Sequence, residues 1–170
     1  MDLASLVRNI PDFPVKGIQF KDVTTLLRDP AAFGQAIDDM AAPFQSQGVE
    51  LVAAVESRGF IFGAPVANRL KAGFVPVRKL GKLPYQKINE SYTLEYGAET
   101  LEMHTDSVQP GQIVLIVDDL IATGGSARAT INLIERLGGK VVGLSFLIEL
   151  MFLNGRERLA GYTINSLIQY

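Results

Sequence analysis

The stretch that most constrains this 170-residue chain is IVLIVDDLIATGGSARAT, residues 113–130. Ile113 to Val117 form an unbroken apolar run rich in β-branched residues, which suits a strand buried on both faces. Asp118 and Asp119 stand at its carboxyl end, and Thr123-Gly124-Gly125-Ser126 follow as a turn. A helical period comes next, with Ala127, Ile131, Ile134 and Leu137 on one face and Arg128, Asn132, Glu135 and Arg136 on the other. Strand, glycine turn and helix N-terminus together make an anion site, because exposed N–H groups and the positive end of the helix dipole point at one spot. Gly124 and Gly125 let the backbone curl close to a ligand, and the hydroxyls of Thr123 and Ser126 can donate to phosphate oxygens.

Two carboxylates have no place beside a loop that binds phosphate alone. Beside a sugar they accept hydrogen bonds from paired hydroxyls, and they act on a hydrated Mg²⁺ at longer range. The predicted ligand is therefore a sugar phosphate; the alternative is a plain βα turn whose aspartates are solvated caps. Two rival phosphate motifs are absent: no lysine follows the glycines as a P-loop requires, and no G-x-G-x-x-G follows a strand. The stretch resembles the phosphoribosyl-pyrophosphate (PRPP) motif of the type I phosphoribosyltransferases, in which a hydrophobic strand leads into an acidic pair and a Thr-Gly-Gly-Ser/Thr loop. The resemblance spans residues 113–127. It implies that Ala122, Thr123, Gly124, Gly125 and Ser126 hold the 5′-phosphate, and that Asp118 and Asp119 act in catalysis on the ribose.

Composition bounds the rest. The length fits one domain with a sizeable core. A net charge of −2 offers no electrostatic footing for nucleic acid or a membrane surface. With zero cysteines, disulfides and thiolate metal sites are excluded. No apolar run reaches spanning length and the start, MDLASLVRNI, lacks the basic-then-apolar pattern of a signal peptide, so a cytoplasmic location is expected.

Taken in order, Leu3 to Ile10 predict a short helix with Leu3, Leu6 and Val7 on one face, ended by Pro11 and Pro14. Residues 11–27 are too broken by proline and glycine for regular structure, and Phe13, Ile18 and Phe20 are expected to pack onto the domain. Within them, Phe-Pro-x-x-Gly-Ile-x-Phe-Lys-Asp-x-Thr resembles the N-terminal hood of the adenine branch of that family, with Thr25 where many relatives have proline. The resemblance implies that Phe20 covers the purine ring while backbone groups of Gln19 and Lys21 read the base edge. Asp29-Pro30 starts a helix expected to run to about Gln47, with Pro43 as a kink or early end and Gly48 as a stop.

Glu50 to Val55 read as a second apolar strand, ending in Glu56-Ser57-Arg58-Gly59 before a helix over Phe60 to Leu70. In a parallel sheet such strand ends lie together. Arg58 suits two-pronged bonding to a pyrophosphate; the alternative is a surface arginine paired with Glu56. The turn resembles the family's pyrophosphate loop, and a non-proline cis bond at Glu56–Ser57 is the implied conformation. Phe74 to Val77 form a third strand, followed by Lys79, which resembles the family lysine that contacts pyrophosphate.

Residues 80–90 lack a clean period and read as a long mobile loop; a closing lid there would exclude water. Ser91 to Tyr96 and Ala98 to Thr105 alternate as a hairpin around Gly97. Ser-Tyr-Thr-Leu-Glu-Tyr-Gly resembles the stretch that carries the catalytic glutamate of the adenine branch, which maps to Glu95; on residue type alone Glu95 is a solvent-facing strand carboxylate. His104, the sole histidine, reads as an exposed strand residue. Lys140 to Leu150 predict another strand with an edge bend at Gly143, Asn154-Gly155 a turn, and Tyr162 to Tyr170 a final strand at an edge.

Alternating strands and helices with charged turns predict a doubly wound α/β domain over residues 1–170, its central sheet mainly parallel. A hood over about residues 1–28 and a flexible hairpin arm flank it. The resemblance implies transfer of the 5-phosphoribosyl group from PRPP to adenine, giving AMP and pyrophosphate. It also implies Mg²⁺ held mostly by substrate and water near Asp118 and Asp119, and a homodimer. A xanthine or hypoxanthine-guanine phosphoribosyltransferase shares the loop and differs in the base pocket. A PRPP-sensing regulator without turnover is disfavoured, because the chain has no spare length and no basic face for a DNA-binding region.

Overall fold

The computed structural model describes residues 1–94 and 97–170. The motif strand is β7 (Ile113–Ile121), an interior strand of the sheet, and the two-sided burial expected of its apolar run is what the packing shows. Leu115 and Val117 point into one core with α2 (Pro30–Ala41) and α3 (Arg58–Leu70), while Val114 and Ile116 point into a second core with α4 (Gly125–Arg136). Side chains alternate across a strand, so only a run without polar interruptions satisfies both layers.

The seven-stranded sheet has the order β5-β6-β4-β3-β7-β8-β9. Its strands are β3 (Leu51–Val55), β4 (Gly73–Lys79), β5 (Lys87–Thr93), β6 (Ala98–His104), β7, β8 (Lys140–Glu149) and β9 (Ile164–Gln169). From β4 to β9 every neighbouring pair is parallel; β6 joins β4 antiparallel and carries β5 as a hairpin. The chain leaves β3 for β4 on one side and later returns as β7 on the other. This reversal opens a crevice at the carboxyl ends of β3 and β7, where an open α/β sheet binds its ligand.

Several expectations are corrected. Leu3 to Ile10 are not one helix: Ala4–Leu6 make a single 3₁₀ turn, and β1 (Arg8–Pro11) pairs antiparallel with β2 (Gln19–Asp22). Residues 11–27 are therefore partly regular, and α1 (Thr24–Leu27) follows β2. Asp29 caps α2 as expected, its Oδ1 accepting from the N–H groups of Ala31 and Ala32 at 2.9 and 3.0 Å. That helix stops at Ala41 rather than near Gln47, because Pro43 removes an N–H and a 3₁₀ turn, Ala42–Phe44, takes over. The irregular stretch after β4 ends sooner than residue 90, since β5 pairs with β6 from Lys87 onward. Gly143 marks a bulge in an interior strand, not an edge: Val114 pairs with Val141 but Leu115 with Gly143. A side chain there would meet the Phe44 ring, with Cβ 2.5 Å from Cε1. Among the described residues, no helix is long and apolar enough to cross a membrane.

Candidate active site

The turn after β3 and the loop after β7 face each other across a cavity of about 510 Å³. Arg58, Lys79, Asp118, Asp119 and the whole stretch Ala122 to Ser126 line it, so residues that the sequence places far apart converge. The size suits a small ligand with a few fixed polar contacts.

Gly124 sits at φ +80° immediately before α4, a left-handed conformation that favours glycine. A Cβ on Gly124 would also lie 2.5 Å from the carbonyl oxygen of Gly155, so a second backbone segment supports the loop from behind. That segment, the 3₁₀ turn Gly155–Leu159, reads in the sequence only as a turn; its role behind the loop has no local signal.

Asp119 is 5% exposed and Asp118 lies partly open to the cavity. Burial, and then the charge of Asp119, push the Asp118 carboxyl well above the usual range. Burial also raises Asp119, against the opposing pull of Arg58. The Asp119 N–H donates to Asp118 Oδ1 at 2.9 Å. Arg58 Nε lies 2.9 Å from Asp119 Oδ2, yet no donor among the described residues is aimed at that oxygen. The contact is an ion pair by distance, without hydrogen-bond geometry. Gly59 is needed beside it, since a Cβ there would stand 2.6 Å from Asp118 Oδ1.

The pairing of Arg58 with Glu56 is overturned. Glu56 turns to β4, accepting from Arg78 Nε at 3.1 Å and from the Lys79 N–H at 3.0 Å. Burial alone would raise its carboxyl, but those donors outweigh it and hold Glu56 below the usual range. The Glu56–Ser57 peptide bond is cis.

The hairpin adds residues that the sequence did not single out. Tyr92 and Glu99 sit opposite each other in the β5–β6 register and both line the cavity. Centring the hairpin on Gly97 would instead set Tyr92 opposite Glu102, so the sequence carried no signal for this pair. Glu95 lies outside the described residues. His104 is half-buried, and its Nε2 accepts from the Tyr85 N–H at 3.3 Å.

The hood residues Gln19, Phe20 and Lys21 do not line the cavity itself; they lie on β2 beside it. The Phe20 ring is 5.4 Å from the Arg58 guanidinium and meets Phe13 edge-on at 5.1 Å. Lys21 Nζ stands 3.7 Å over the Tyr170 ring, tying β2 to the end of β9.

Residues 23–159 match the phosphoribosyl transferase domain family. An adenine phosphoribosyltransferase of Symbiobacterium thermophilum is 56% identical over 170 residues, covering 100% of both chains. The crystal structure of adenine phosphoribosyltransferase from Thermoanaerobacter pseudethanolicus superposes with a TM-score of 0.96 at 52% identity, over 99% of this chain and 98% of that one. The Saccharomyces cerevisiae enzyme, complexed with an imino-altritol bisphosphate and adenine, gives a TM-score of 0.92 at 38% identity, over 98% of this chain and 96% of that one. With the acidic pair, the glycine loop and the hood all lying on that shared frame, the chain belongs to the phosphoribosyltransferase family, in its adenine phosphoribosyltransferase branch.

Proposed function

We infer that the chain transfers the 5-phosphoribosyl group of PRPP to adenine, giving AMP and pyrophosphate, a purine-salvage reaction. The observation that carries this reading is Asp119 Oδ2, a buried carboxylate oxygen with no hydrogen-bond donor aimed at it among the described residues, at the foot of an amide-lined glycine loop. A buried acceptor without a donor is expensive. A ribose hydroxyl supplies the donor, and its own phosphate belongs on the loop beside it.

In this reading the 5′-phosphate rests on residues 122–126 at the N-terminus of α4. Asp118 and Asp119 accept from the ribose hydroxyls and stabilise positive charge as the sugar becomes oxocarbenium-like. The bond from the ribose C1 to the pyrophosphate oxygen breaks, and one from C1 to an adenine ring nitrogen forms. Glu95 manages the ring proton as a general acid/base. Arg58 and Lys79 neutralise the departing pyrophosphate. Phe20 stacks on the base, and backbone groups of Gln19 and Lys21 read its edge. The stretch of residues 80–86 closes over the bound substrates as a mobile lid.

Mg²⁺ fits this site as a substrate-borne ion. Among the described residues, no group of three or more His, Cys, Asp and Glu side chains converges as a cage, while Asp118 and Asp119 offer hard oxygen donors. When bound, it supplies charge neutralisation for the pyrophosphate. A homodimer and a cytoplasmic location complete the reading, supported by family membership alone.

The test is a purine panel assayed with PRPP and Mg²⁺. Adenine should release pyrophosphate and form AMP, while hypoxanthine, guanine and xanthine should fall roughly 10²-fold or more in kcat/KM, as expected where hydrogen bonds read the base edge. Silence with adenine overturns the proposal; preference for a 6-oxopurine transfers the chain to the hypoxanthine-guanine or xanthine alternative.

A further inference from the structure

Glu99 is a carboxylate in the wrong place for a site that binds phosphates. It projects from β6 into the cavity that Arg58, Lys79 and the glycine loop line. Its two oxygens are held from two different strands. Tyr92 on β5 donates its hydroxyl to Oε2 at 2.7 Å, and Lys79 on β4 brings Nζ to 3.2 Å from Oε1. Tyr92 is itself fixed: a Cβ on Gly125, the first residue of α4, would stand 2.9 Å from its ring Cδ2. The hydroxyl therefore anchors the carboxylate from the phosphate-loop side, while the ammonium binds it from the opposite side. An ordinary solvated ion pair would not need a half-buried phenol as a third member.

We propose that Glu99, held by Tyr92, is a positioning residue that sets how tightly the site grips pyrophosphate, by competing with it for the Lys79 ammonium. The inference rests on the reading of Lys79 as a pyrophosphate contact. Pyrophosphate oxygens and the Glu99 carboxylate are alternative partners for one cation. The Glu99 charge also repels the anion that displaces it. The tyrosine hydroxyl draws off part of that charge, so the phenol tunes the competition. The outcome is a grip strong enough to seat PRPP and weak enough to release its pyrophosphate.

Two substitutions should move pyrophosphate affinity in opposite directions. Glu99→Gln keeps the shape and an acceptor for Tyr92 but removes the competing charge. Pyrophosphate should bind about two- to fivefold tighter, the range of an exposed ion pair, in calorimetry and as a product inhibitor. The KM for PRPP should fall alongside, with the KM for adenine unchanged. Tyr92→Phe leaves the whole Glu99 charge facing Lys79, so pyrophosphate should bind more weakly. Lys79→Ala is the third arm. If it leaves pyrophosphate affinity intact, the reading of Lys79 fails and the inference with it. If Lys79→Ala weakens pyrophosphate but Glu99→Gln does not tighten it, the competition is refuted while Lys79 keeps its role. Should Glu99→Gln fail to fold, Tyr92→Phe decides alone, and unchanged or tighter pyrophosphate binding there overturns the proposal.

Discussion

Asp118 follows five apolar residues of β7 and ends with its carboxylate against Asp119 and Gly59 in the first turn of α3. Burial raises its pKa, so the folded state is penalised for holding the charge. The sign follows from linkage. Below the ordinary carboxylate pKa of about 3.8 both states are protonated and the penalty is absent. It grows as pH rises through the folded value and is fully present above it. Asp118→Asn should therefore stabilise the fold at pH 7.5 by about 0.5–2 kcal/mol, a usual gain where a site is kept for function rather than stability. The gain should shrink toward pH 4, and kcat/KM should fall by roughly 10²-fold with the lost charge stabilisation. Denaturant melts at the two pH values, beside steady-state rates, check both halves. The aspartate pair was legible because an uninterrupted apolar run ends on it. The partner of Arg58 was not: Glu56 is nearer along the chain, and only the fold turns Glu56 toward Arg78 and brings Asp119 in from another strand.

The glycine loop is an element with a backing. Gly155 packs backbone against backbone on it, and a Cβ there would collide with the Ala122 carbonyl oxygen and touch the Ile121 side chain at 2.9 Å. The turn carrying Gly155 is held in turn by Arg156, whose guanidinium donates to Glu149 at 2.6 and 2.7 Å across to β8. Gly155→Ala should thus push on the phosphate loop rather than on solvent. A loss of about 1–3 kcal/mol is expected from overpacking, with KM for PRPP raised more than KM for adenine. A variant with full stability and unchanged PRPP kinetics would show that the two segments are not coupled. The contrast with the N-terminal elements shows what a sequence lacks. α2, α3 and α4 are long and periodic enough to show in the sequence, save for the early end of α2 at Ala41. β1 and β2 are four residues each, and their pairing is locked by Arg8 with Asp22 and by Asp12 accepting from the Gly17 N–H at 2.7 Å. No period of two can show in a segment that short, so proline and glycine dominated its reading.

At the scale of the molecule, alternating strands and helices point to a doubly wound sheet, and the final strand, β9, lies at its edge as the sequence predicts. Which strands are neighbours depends on pairings distant in the chain, and local pattern carries none of that. In the proposed function the ligands divide between two pieces: PRPP at the sheet ends, and the base against β2, which β1 and α1 flank. Asp22 is the joint of the second piece. Its Oδ1 accepts from the Thr24 N–H at 2.9 Å and its Oδ2 from Arg8 Nε at 2.9 Å. Thr24 first, and Arg8 after it, hold the carboxyl down at about 2. A lowered folded pKa stabilises above the unfolded value and is lost as pH falls, here between about 4 and 2. Asp22→Asn should destabilise the fold by about 1 kcal/mol at neutral pH, a modest figure because Arg8 is half exposed, and the difference from the parent chain should vanish near pH 2. Since the substitution loosens the hood alone, KM for adenine should rise about fivefold, the affinity equivalent of 1 kcal/mol, with KM for PRPP within twofold of the parent. Equal shifts in the two constants would mean that hood and sheet respond as one body, and that the base and the sugar phosphate are not held separately.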